Sequence, residues 1–127
     1  MERIINIQNA AHYKWGNNCD GWHFFKSENL TVIRETMPAG SKEILHYHKK
    51  SVQFFYILAG EATFEIEAEI FKAGANTGSF IKPGEQHKIS NNSDKDLEFI
   101  VVSSPPSHSD RIDLQEAGSE TRNPEEG

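Results

Sequence analysis

Hydrophobic and polar residues alternate with a period of two along most of this chain, in short runs at 30–37, 43–47, 53–58, 62–70, 79–81 and 97–102. That period marks strands with one face buried and one face wet. Turn clusters follow at close intervals, among them Pro38-Ala39-Gly40, Ala59-Gly60-Glu61, Lys82-Pro83-Gly84 and Asn91-Asn92-Ser93-Asp94, and together they predict an all-β sandwich or barrel. No long stretch keeps helical periodicity. The first 28 or so residues read as a less regular segment, with Trp15-Gly16 and Gly21-Trp22-His23 placing aromatics on the outside of the barrel. Positions 115–127 are polar and acidic with almost nothing to bury, so they read as a tail, leaving 1–114 as one domain with its barrel at about 30–104.

Composition narrows the class. A chain of 127 residues is long enough for one core and short for two. No apolar run approaches the ~20 residues of a membrane span, and the start Met1-Glu2-Arg3-Ile4-Ile5-Asn6 lacks a signal-peptide stretch, so a cytoplasmic protein is expected. Cys19, the only cysteine, excludes an intramolecular disulfide and a cysteine-based zinc cluster, and reads as a small packing residue. The net charge of -6 repels phosphate and disfavours nucleic acid as a partner.

The chemistry concentrates in two stretches. His46 and His48 stand two apart, so on a strand they project from one face. The four residues after His48 allow a turn that returns Gln53 on a neighbouring strand, and His87 follows a Pro-Gly turn. Three imidazoles and one amide oxygen suit a divalent transition metal with coordination positions left open.

The spacing also carries a family resemblance. Gly40, His46, His48, Gln53 and Gly60 keep every interval of the first cupin motif, Gly-x5-His-x-His-x4-Glu-x6-Gly, with Gln53 where that family usually has Glu. Gly84, His87 and Asn91 match the second motif, Gly-x5-Pro-x-Gly-x2-His-x3-Asn, while Asn76 replaces its leading Gly and Lys82 its Pro, beside Pro83. The chain thus resembles the small single-domain, metal-binding cupins. The resemblance implies an RmlC-like jelly-roll barrel, a double-stranded antiparallel β-helix, with His46, His48, Gln53 and His87 as ligands of one zinc, nickel, iron, manganese or copper ion. A weaker similarity points to the cupins that ketonize unsaturated uronates in pectin breakdown. Their Asp-x-Phe-Ser-Pro pattern corresponds here to Val101-Val102-Ser103-Ser104-Pro105, without the acid and the aromatic.

Replacing the usual Glu by a neutral amide leaves the divalent charge uncompensated, which favours an anionic or enolate-forming ligand. The resulting expectation is a lyase or isomerase acting through a Lewis-acid metal on a sugar acid or keto acid. A metal-dependent dioxygenase and a non-catalytic small-molecule binding module are the alternatives, since the scaffold hosts all three. A metal-bound water can serve as base. Glu35 is the candidate protein base, against an outward-facing surface position. Arg111 is the candidate partner for a substrate carboxylate, against a surface ion pair with Asp110, Asp113 or the tail. Alternation turns Phe99, Val101 and Ser103 inward, and with Phe55 these are the expected substrate-lining residues, while Tyr47 and Tyr56 face out. Spare aromatics at Tyr13, Trp15, Trp22, Phe24 and Phe25 lead to the expectation of a homodimer.

Overall fold

The computed structural model describes residues 3–114, so the expected tail lies outside the described residues. Among the described residues eleven strands form: β1 Ala11–Trp15, β2 Cys19–Lys26, β3 Thr31–Met37, β4 His46–His48, β5 Val52–Ala59, β6 Ala62–Ile66, β7 Glu69–Ala73, β8 Gly78–Ile81, β9 His87–Ser90, β10 Leu97–Ser104 and β11 Arg111–Asp113. No helix forms among the described residues. All pairings are antiparallel, in a six-stranded sheet ordered β1-β2-β3-β10-β5-β8 and a five-stranded sheet ordered β11-β4-β9-β6-β7. The all-β jelly-roll expected from the sequence is the fold observed.

The alternation does the sorting. On β3 the odd positions Thr31, Ile33, Glu35 and Met37 are buried, and on β10 so are Leu97, Phe99, Val101 and Ser103. Inward residues of neighbouring strands fall into rows. Thr31, Ser103, Gln53 and Ile81 form one, next to a row with Ile33, Val101 and Phe55, then one with Glu35, Phe99 and Ile57. Phe64 and Ile89 face them from the other sheet, and each fully buried side chain of this size contributes about 1.5–3 kcal/mol. Gly60 closes the β5–β6 turn at φ +87°, where a Cβ would come within 2.5 Å of the Asp96 carbonyl oxygen.

Three expectations need correction. The N-terminal segment is not irregular over 11–26: β1 and β2 form a hairpin that extends the six-stranded sheet alongside β3. Its aromatics do not all lie outside, because Tyr13 and Trp15 join the core with Cys19. The Tyr13 ring crosses Gly21, where any Cβ would collide with it, and its hydroxyl donates to Glu35 Oε2 at 2.7 Å. The run 62–70 is two strands, parted by Glu67 and Ala68, both with positive φ, in a two-residue turn whose twist suits a hairpin. The run 43–47 gives only the short strand β4, preceded by a single bridge between Lys42 and Ser90.

Candidate metal centre

His46 and His48 lie on β4 with His46 opposite His87 of β9, so one sheet supplies all three imidazoles. Candidate ligand nitrogens of the three rings lie within 4.8 Å of one another, all buried, in a cluster that could hold a metal ion. Gln53 faces them from the other sheet, only 1% exposed, with Oε1 3.2 Å from His87 Nε2. The structure therefore brings together the four residues that the spacing singled out.

Backbone carbonyls orient two of the three rings. Ile44 O accepts from His46 Nδ1 and Glu85 O from His87 Nδ1, each at 2.8 Å. Fixing the proton on Nδ1 leaves Nε2 with its lone pair, the arrangement metal-binding histidines use. His46 Nε2 and His48 Nε2 are buried with no hydrogen-bond partner. Orphaned polar atoms at this depth are costly in a native fold. A cation among these nitrogens would satisfy them all, so the residues fit a metal.

Burial, before any neighbour, drives the three rings toward the neutral form, and the Arg111 charge adds to it. His46 is held well below its ordinary range, His48 is lowered to about 3 and His87 to about 4. The His87 charge weighs on both His46 and His48, and that of His48 also lowers His46. The Glu85 carbonyl only partly offsets the shift at His87. Neutral imidazoles are ready ligands.

The loop from His48 to Gln53 is clamped from the C-terminal side. Asp110 accepts from the backbone N–H groups of Lys49 at 3.1 Å and of Lys50 and Ser51 at 2.8 Å each. Burial raises the Asp110 carboxyl, but these three donors more than offset it and its pKa is lowered. The motif's Gly84 donates its N–H to His48 O at 2.7 Å. Asn91 does not approach the histidines: it exchanges backbone bonds with Gly40 and Ser41 and donates its amide to Met37 O and Lys95 O, tying two turns together.

Two candidate catalytic residues take unexpected places. Glu35 is 2% exposed rather than on the surface, in the row of Phe99 and Ile57. Four residues of strand, about 13 Å, separate it from Thr31 at the level of Gln53. Arg111 forms no surface ion pair. It is 1% exposed, its Nε 2.5 Å from Asp113 Oδ1 and its Nη1 3.5 Å from Glu43 Oε2, while Glu43 Oε1 accepts from Ile89 N. Sequence reasoning missed Glu43 and Asp113 as buried groups. Asp113 alternates with Arg111 across Ile112, which was the available signal. Phe55, Phe99, Val101 and Ser103 all point inward as expected.

Comparison with known proteins follows the same lines. Residues 33–103 match the family model described as the cupin domain. An uncharacterized protein of Methanocaldococcus jannaschii is 32% identical over 89 residues, 69% of this chain and 71% of that protein. An oxalate-binding protein of Thermotoga maritima is 36% identical over 69 residues, 54% of this chain and 57% of its own length. Among solved structures, a predicted oxalate decarboxylase of Thermotoga maritima superposes with a TM-score of 0.74 at 24% identity, over 80% of this chain and 98% of that one. KdgF from Halomonas sp. does so at 0.73 and 17% identity, over 80% and 90%. At these identities the structural likeness speaks for the fold.

Proposed function

This chain belongs to the cupin family, and from that premise we propose that His46, His48, His87 and Gln53 hold one divalent transition-metal ion. Through that ion the site takes one small oxygen-rich carboxylate, a sugar acid or keto acid, for a non-oxidative lyase or isomerase reaction. The observation that carries the reading is the convergence of unpartnered lone pairs on one buried point: two Nε2 atoms with no partner, and a third facing an amide oxygen at 3.2 Å. When bound, the ion supplies Lewis-acid polarisation of a substrate oxygen. The chain's own residues do the rest. Ile44 O and Glu85 O hold the His46 and His87 rings in register, Asp110 holds the His48–Gln53 loop, and Phe55, Phe99 and Val101 line the buried face beside Gln53. Gln53, being neutral, leaves the site's positive charge for an anionic ligand. The oxalate-binding relative favours a carboxylate over a neutral ligand.

Reconstitution after chelation tests this. The expected result is one ion per chain, with His46→Ala/His48→Ala failing to retain it in elemental analysis. Gln53→Glu is expected to tighten metal binding and to slow turnover, each by about tenfold, because the added carboxylate cancels charge that stabilises an enolate or alkoxide. Activity on uronates or keto acids should survive strict anaerobiosis. Activity proportional to oxygen consumed transfers the reading to a dioxygenase, and tight carboxylate binding without turnover transfers it to a binding module.

The protein is further proposed to work as a homodimer. Tyr13 and Trp15 are not available for this, being in the core. The outer face of the six-stranded sheet is: its register aligns Phe25, Val32, Val102, Phe54 and Phe80 in one apolar row across five strands, with Phe80 59% exposed. Such a row is wide for a monomer surface. Light scattering should give the mass of two chains, and Phe54→Glu should halve it. A wild-type mass of one chain at micromolar concentration rules the dimer out.

A further inference from the structure

The Gln53 amide has two ends of similar size and opposite chemistry, and only the oxygen can ligate a metal. In the structure its Nε2 donates to Ser103 Oγ at 3.0 Å while Oε1 points at His87 Nε2, 3.2 Å away. The His87 proton is already engaged on the other side of the ring, with Nδ1 2.8 Å from Glu85 O. A neutral ring therefore turns a lone pair toward the amide oxygen's lone pair. Ligand atoms about 2.1 Å from a shared ion, at right angles about it, sit about 3 Å apart, so a cation resolves this contact. A half-turn of the amide resolves it too, by sending the NH2 group to His87 Nε2. That second arrangement plugs the site.

We infer that Ser103 is a positioning residue: with the amide oxygen toward the histidines, its hydroxyl accepts from Gln53 Nε2 and so completes the hydrogen bonding of the ligating orientation. The inference rests on the metal-binding reading above. The β10–β5 register sets Ser103 directly opposite Gln53 on the inward face, and both are 1% exposed, so bulk water does not compete for the amide. The need for such a partner comes from Gln53 itself. A carboxylate at position 53 presents an oxygen whichever way it turns. The hydroxyl expected from the sequence to touch substrate thus has its place in orienting a ligand side chain.

With alanine at 103, the NH2 group loses its acceptor, and His87 Nε2 becomes the acceptor a half-turn offers it. The test measures Co2+ affinity by chelator competition for the full-length wild type, Ser103→Ala, Ser103→Thr, Gln53→Glu and the Gln53→Glu/Ser103→Ala double variant. Ser103→Ala is expected to weaken binding by about 10- to 100-fold, the usual cost of removing a residue that orients a ligand. Ser103→Thr keeps the hydroxyl and should stay within about threefold of wild type. In the Gln53→Glu background the alanine should cost less than about threefold, since no amide remains to misorient. The visible spectrum of Co2+-loaded Ser103→Ala should match that of Gln53→Ala, reporting loss of one oxygen ligand. Equal losses in both backgrounds, or an unchanged spectrum and affinity in Ser103→Ala, overturn the role of Ser103 while leaving the metal site standing. A wild type that takes up no Co2+, Ni2+ or Zn2+ overturns the metal reading and this inference with it.

Discussion

Metal-free protein is expected to lose stability steadily as pH falls from about 6.5 toward 5, before most carboxylates titrate. Burial and the Arg111 charge hold His48 and His87 neutral in the folded state down to about 3 and about 4, and His46 likewise well below its ordinary value. In the unfolded chain all three take up protons near pH 6.5. The unfolded state therefore binds more protons throughout that window, and stability rises with pH across it. Each histidine contributes about 1.4 kcal/mol per pH unit at most, on the order of 2 kcal/mol between pH 6.5 and 5. Above pH 6.5 the contribution is complete and the curve flattens. Urea denaturation in the presence of a chelator at pH 7.5, 6.5, 5.7 and 5.0 measures the slope, and a His48→Phe variant should flatten it by about one proton. A wild-type curve level from 7.5 to 5.0 contradicts the burial of neutral imidazoles. The same neutrality means that metal uptake at pH 7 should release almost no protons from the histidines, which calorimetry in buffers of different ionisation enthalpy reads directly.

Arg111→Leu is expected to destabilise the fold by about 3–5 kcal/mol, the cost of leaving buried charge without its counter-ion. Two carboxylates meet that guanidinium, Asp113 at 2.5 Å and Glu43 at 3.5 Å, all three side chains buried. The damage should reach the histidines. β11 pairs with β4, setting Arg111 opposite His48 and Asp113 opposite His46, and Glu43 braces Ile89 on β9. Arg111→Lys keeps the charge but not the planar fork and should fall between. Replacing the group as a whole, Arg111→Met/Glu43→Leu/Asp113→Leu, should recover most of the loss, because it removes the unpaired charges along with their partner. Denaturant midpoints at pH 7.5 decide it. A loss below about 1 kcal/mol in Arg111→Leu means that the carboxylates tolerate the core without the cation.

Where the sequence was readable, short-range geometry was the reason. Two histidines one residue apart on a strand share a face whatever the fold, and the turn-rich spacing after them leaves Gln53 few places to go except the facing wall. The inward side of β10, with Phe99, Val101 and Ser103, followed from alternation alone. The N-terminal hairpin escaped this logic because its inward pattern is broken at Gly21, which looks like an interruption in sequence and in space is the room for the Tyr13 ring. The β6–β7 hairpin escaped it because Glu67-Ala68 carries none of the Asn-Gly chemistry that marks such turns.

The sequence by itself determined the strand order of chemistry along the chain: which residues face in, and that three imidazoles and an amide share a spacing fit for a metal. What it could not determine was electrostatic. Glu35, Arg111 and Asp113 read as surface charges because charged residues are seldom buried alone, and burial in company depends on partners distant in sequence. Only the pairing of β11 with β4, and of the segment before β4 with β9 through Glu43 and Ile89, brings a guanidinium between two carboxylates, and only the β10–β5 register puts a serine hydroxyl against the back of Gln53. Contacts within a strand are fixed by backbone period, whereas contacts across sheets are fixed by register, and register is a property of the assembled barrel.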